Sequence, residues 1–110
     1  MARGRVVVVL VTCPTRTVAR RLAHALVQQR VAACVNVINA DVESTYVWKG
    51  QVEQAREVLL VIKTSSNRFA DLCRLIRSLH PYEVPEIIAL PVTHGHPPYA
   101  RWVLDTVDPR

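Results

Sequence analysis

The sequence has no long apolar run, few aromatics, three glycines and three cysteines, and each scarcity excludes something. No stretch approaches the ~18 consecutive apolar residues of a spanning helix, so no membrane-crossing segment is predicted. The short run Val6 to Val11 is too brief for a signal-peptide core, precedes no small-residue cleavage site and reads as a strand. A cytoplasmic location with no membrane partner is the expectation. Cys13, Cys34 and Cys73 are an odd number without C-x-x-C spacing, which argues against a disulfide framework and a structural zinc site. The glycines Gly4, Gly50 and Gly95 stand apart and form no phosphate loop. Neither a catalytic triad nor a paired-carboxylate motif is visible, so an enzyme is not expected. The formal charge is +5, but the basic residues are scattered from Arg3 to Arg110 in no block. Without an RNA-binding aromatic signature or a recognition-helix pattern, that charge predicts no nucleic-acid partner.

What is present suffices for one domain over residues 1–110, half of them hydrophobic. Arg5 to Thr12 is apolar on both parities, as in a central strand. Pro14 ends it, Thr15 or Thr17 can cap a helix, and Val18, Leu22, Ala25 and Leu26 recur at helical spacing. Ala33 to Trp48 is a second extended run, with a bulge expected at Asn39-Ala40-Asp41. Lys49-Gly50 is a two-residue hairpin turn, which sets Trp48 against Gln51 and Glu43 against Arg56.

Gln51 to Thr64 returns as a strand, polar at first and then solidly apolar. Ser65, Ser66 and Asn67 offer caps for a helix marked by Phe69, Leu72, Cys73, Ile76 and Leu79, which His80-Pro81 ends. Val84 to Val92 is the last strand, held to an edge or made irregular by Pro85 and Pro91. Pro97-Pro98 opens a final helix with Tyr99, Trp102, Val103, Thr106 and Val107 on one face. The order is the ferredoxin-like β-α-β-β-α-β arrangement of the α+β class, with a long central hairpin and an extra C-terminal helix.

That hairpin predicts an oligomer. Fourteen residues of strand span roughly 45 Å, whereas a globule of this length is roughly 35 Å across. The tip, with Tyr46 and Trp48, overhangs and is expected to pair with another copy. The alternative is a bent hairpin folded back on its own sheet.

Ala32-Ala33-Cys34-Val35-Asn36, Ser44-x-Tyr46-x-Trp48-Lys49-Gly50, Glu57, Lys63-Thr64 and His80-Pro81-Tyr82-Glu83-Val84-Pro85-Glu86, closed by Tyr99 and Trp102, resemble the CutA divalent-cation-tolerance family. The resemblance covers nearly the whole chain. It implies a homotrimer joined through the hairpins, similar in plan to the PII signalling proteins. It links bacterial members to tolerance of copper and other divalent ions, and animal members to membrane-enzyme anchoring, with no established reaction.

Cys34, which the resemblance includes, is a soft thiol suited to copper or zinc, and His80 is its candidate companion ligand. The competing reading makes Cys34 an inert core residue and His80 a helix cap. His94-Gly95-His96 can chelate copper, nickel or zinc weakly, or is a solvated loop pair. Lys63, Glu57, Tyr82, Glu83 and Asn36 are the candidate lining of a cleft for a small anion. Cys13 is expected to be exposed at a strand end, and Cys73 to be core. Two functions therefore stand: a trimeric copper or divalent-metal binder serving metal response, and a PII-like sensor or adaptor holding an anion between subunits.

Overall fold

The valine-rich run becomes β1 (Val6–Cys13) at the centre of an antiparallel sheet in the computed structural model, which describes residues 3–109. Helix α1 (Arg16–Gln28) comes next, with the Thr15 hydroxyl accepting from the Val18 N–H at 3.2 Å. After it come β2 (Cys34–Val37), β3 (Val42–Trp48), β4 (Gln51–Ser65), α2 (Phe69–Leu79), β5 (Ile88–Pro91) and α3 (Pro97–Val107). The sheet runs β2-β4-β1-β5, and β3 extends the β2 side of β4. This is the expected α+β, ferredoxin-like order with an added C-terminal helix.

Register explains the break at Asn39-Ala40-Asp41. Val37 faces Leu60 and Val42 faces Glu57, so five steps on one strand match three on the other. Because two residues are extra, strand parity survives and every side chain keeps its face. Trp48 meets Gln51 and Glu43 meets Arg56, as the turn chemistry requires. Lys49 and Gly50 both have positive φ, 51° and 79°, the signature of a type I′ turn.

Other expectations change. No side chain caps α2: the chain enters it through a 3-10 turn at Ser66–Arg68. Ser66 exchanges hydrogen bonds with Arg5 instead, its Oγ accepting from Arg5 N–H at 3.0 Å and its N–H donating to Arg5 O at 2.8 Å. The last strand is only Ile88–Pro91. Trp102, expected on the apolar face of α3, is 47% exposed.

The two sheet faces differ. Val7, Val9, Val11, Cys13, Leu60 and Ile62 point to α1 and α2 and make the core with Leu22, Leu26, Leu72 and Ile76. Cys13 is thus fully buried rather than exposed, and burial, with the Glu57 charge second, pushes its thiol up to about 11. Cys73 is half-buried, not core. On the open face, α3 packs Val103 and Val107 against Ala33 and Val6. The rest of that face carries Val8, Leu10, Leu59, Val61, Ile88 and Leu90, with Ile88 and Leu90 exposed.

The hairpin does not fold back: the molecule measures 45 × 26 × 25 Å, with exposed Val47 and Val52 paired near the ribbon tip. No helix among the described residues is long and apolar enough to cross a membrane.

Candidate functional site

Strand alternation puts Thr12, Ser44, Tyr46, Trp48 and Glu57 on the open face, where the base of the hairpin meets the loop after α2. Pro81 stops α2, and the chain turns at His80, whose N–H still donates to Ile76 O at 2.8 Å. The buried His80 ring is held at both nitrogens: Nδ1 accepts from the Tyr82 N–H at 3.2 Å, so Nε2 carries the proton and donates to Thr12 O at 2.8 Å. The Tyr82 ring lies 4.7 Å from the imidazole. Its hydroxyl donates to Glu57 Oε2 at 2.7 Å. Burial raises the Tyr82 hydroxyl well above its ordinary range, followed by this hydrogen bond and the Glu57 charge, so it stays a donor.

Glu57 is 6% exposed. Among the described residues it forms no ion pair, and Tyr82 is its hydrogen-bond partner. It opens into a cavity of about 630 Å³ lined by Glu57, Glu83, Glu86, Tyr46, Trp48 and Tyr82 among others, with no Lys, Arg or His in the wall among the described residues. Three carboxylates without a basic group among the described residues give this wall a negative field.

The far end of the open face has the opposite character. Cys34 pairs with Lys63 across β2 and β4, and the Lys63 ammonium contacts the Asn36 amide oxygen. Cys34 Sγ lies 3.9 Å from the same oxygen. Tyr99 of α3 sits beside the thiol, its hydroxyl raised by burial first and Cys34 second. A second cavity, about 460 Å³, opens here between β1, the loop before α3, and α3.

The two ends split both expected residue sets. Lys63 and Glu57 lie six residues apart on β4, roughly 20 Å at the ordinary strand rise. Glu57, Tyr82 and Glu83 therefore share one cavity, and Lys63 and Asn36 belong to the other end. Cys34 and His80 are likewise separated: Cys34 is opposite Lys63, while His80 is bonded to Thr12, which is opposite Leu59. With both His80 nitrogens engaged and an ammonium beside Cys34, a single chain does not bring that pair together as ligands. His94 lines the second cavity and contacts Thr93 Oγ1 at 2.9 Å, whereas His96 is an exposed residue at the start of α3. Among the described residues no three His, Cys, Asp or Glu side chains gather closely enough to hold an ion. Thr12, whose carbonyl anchors His80, carries no sequence signal because the contact is backbone. Glu86 was visible only as the end of the His80–Glu86 motif.

Residues 7–106 match the family described as CutA1 divalent ion tolerance protein. A CutA homolog from Xenopus laevis is 53% identical over 97 residues, covering 88% of this chain and 64% of that protein. The divalent-cation tolerance protein CutA of Thermus thermophilus is 46% identical over 96 residues, covering 87% and 92%. The chain spans just over half to about two-thirds of the vertebrate relatives' length. Among solved structures, a Thermus thermophilus Cut A1 superposes with a TM-score of 0.89 at 44% identity, covering 92% and 97% of the two chains. CutA1 from Oryza sativa does so with 0.91 at 36%, covering 97% of each. The chain belongs to the CutA1 divalent ion tolerance family.

Proposed function

We propose that this chain serves divalent-cation tolerance by binding rather than by catalysis, as a hairpin-linked trimer whose Glu57 cavities each take one divalent metal ion. The observation that carries this reading is Glu57 itself, a carboxylate buried at a cavity with no cationic partner among the described residues. A charge so placed costs several kcal/mol of lost hydration, of order 3–5, unless an opposite charge offsets it. Glu83 and Glu86 add negative charge at the same cavity. Oxygen donors suit a hard or borderline ion such as Mn²⁺, Zn²⁺ or Cu²⁺ better than Cu(I). One chain supplies too few close ligands, so the neighbouring copy completes the coordination. The exposed Tyr46, Val47, Trp48 and Val52 on the overhanging ribbon support that assembly.

Isothermal titration of the purified protein with Mn²⁺, Zn²⁺ and Cu²⁺ tests the reading, beside a light-scattering mass expected at three times 12.4 kDa. Glu57→Gln should abolish the tight site. Unchanged binding in that variant, or a monomeric mass, would overturn it. A second reading, the PII-like sensor of a small anion, is favoured by one observation: the Lys63 ammonium has a neutral amide as its partner.

A further inference from the structure

We propose that the cavity beside Lys63 binds a small monocarboxylate with an apolar body. The proposal deepens the anion-sensor reading by naming the ligand class, and it is independent of metal at Glu57. At about 460 Å³ the cavity falls within the size range of small-molecule sites. Val6, Val8, Val92, Ala100 and Leu104 give it an apolar wall, and Lys63, Thr93, His94 and Tyr99 carry its polar groups. Lys63 is half-buried, and among the described residues it forms no ion pair. Its ammonium is steered by the Asn36 amide oxygen, which holds the group in place without neutralising it. Tyr99 and Ala100, in the first turn of α3, line the same space, so the positive end of that helix adds to the field.

Charge count and wall chemistry together choose the ligand. One ammonium balances one carboxylate through a charge-assisted hydrogen bond. A phosphate dianion would bring a second full charge into a cavity whose described lining holds one ammonium and is otherwise largely apolar, so its lost hydration is offset less completely. An alkyl body against that wall gains about 0.8 kcal/mol per methylene, which is about fourfold in affinity.

The test titrates the full-chain protein at pH 7.5 with acetate, butyrate, hexanoate, 1-hexanol and inorganic phosphate, monitored by calorimetry and amide chemical shifts. Affinity should rise about fourfold per methylene from acetate to hexanoate, with 1-hexanol and phosphate at least about tenfold weaker than hexanoate. Lys63→Met should remove hexanoate binding. So should Ala100→Phe, which fills the cavity from α3 and leaves the charge in place; circular dichroism and mass check that each variant is folded. Equal binding of 1-hexanol, or hexanoate binding retained in Ala100→Phe, overturns the proposal. Phosphate binding lost in Lys63→Met, without hexanoate binding, overturns the ligand class and leaves the sensor reading standing. Absence of any anion binding retires both.

Discussion

Replacing Glu57 by glutamine separates a carboxylate that needs an external cation from one already compensated. Glutamine keeps the side-chain length and still offers Tyr82 an acceptor, so the 2.7 Å hydrogen bond survives in neutral form. Two terms compete in the metal-free protein. A hydrogen bond to a charged acceptor, about 1.5–3 kcal/mol, becomes a neutral one of about 0.5–1.5, a loss near 1 kcal/mol. Against this, the variant no longer buries a charge at a position only 6% exposed, which relieves a penalty of several kcal/mol. The second term is larger, so metal-free Glu57→Gln should be more stable than wild type by about 1–3 kcal/mol.

Adding metal should close or reverse that ranking. At one hundred times its dissociation constant, an ion bound only to the folded state stabilises wild type by about 2.7 kcal/mol, and the variant gains nothing. Urea unfolding with EDTA and then with Mn²⁺, at one fixed protein concentration, reads both effects, since oligomer stability depends on concentration. A variant less stable than wild type in EDTA refutes the reasoning. It would mean that a lysine or arginine of a neighbouring copy already pairs with Glu57.

Trp48→Ala should weaken assembly by about 2 kcal/mol or more, seen as dissociation at higher protein concentration, because the half-exposed ring sits on the overhanging ribbon. Unchanged dissociation would make it a plain surface aromatic. Gly50→Ala should destabilise by about 1–2 kcal/mol in urea, purely from the φ of 79°, since an added Cβ meets nothing within 4 Å. The Cys13 thiol has its folded value raised from 9.0 to about 11, so the unfolded chain releases its proton first. The stability this contributes is complete below pH 9 and is lost as pH rises through 11, about 2 kcal/mol by pH 10.5. Cys13→Ala should lack that part of the decline in the urea midpoint, and parallel curves for the two proteins would refute it.

The parts of the fold that rest on local chemistry were legible from the residues. Lys49-Gly50 dictated the turn, the turn dictated the pairing of Glu43 with Arg56, and the apolar parity of Val6–Val11 marked the central strand. Features set by tertiary competition were not. Ser66, a good helix cap by composition, extends the β1–β4 ladder through Arg5 because two backbone-linked bonds there replace one side-chain cap. Cys13 looked accessible because Pro14 comes directly after it, yet its strand parity aims it at the helices, where Val58 and Leu60 are buried alongside. His80 read equally as cap or ligand. Its partners, a carbonyl 68 residues earlier and an amide two residues later, leave no periodic trace in sequence.

Residue type alone hides the distance between the two candidate charges. Glu57 and Lys63 have the same parity on one strand, so both face the open side, with Leu59 and Val61 between them. Opposite charges on one face invite pairing, but roughly 20 Å of strand separates them. That exceeds the screening length of about 8 Å at physiological salt, and neither side chain is long enough to bridge it. Each charge is therefore left to find its own compensation: among the described residues no basic group lines the wall at Glu57 and no carboxylate lines it at Lys63. Lys63→Met and Glu57→Gln should accordingly act independently. The double variant's stability change should equal the sum of the single changes within about 0.5 kcal/mol, as it does for sites well apart. A coupling clearly larger than that, measured by urea unfolding of all four proteins, would show that another copy brings the two charges together.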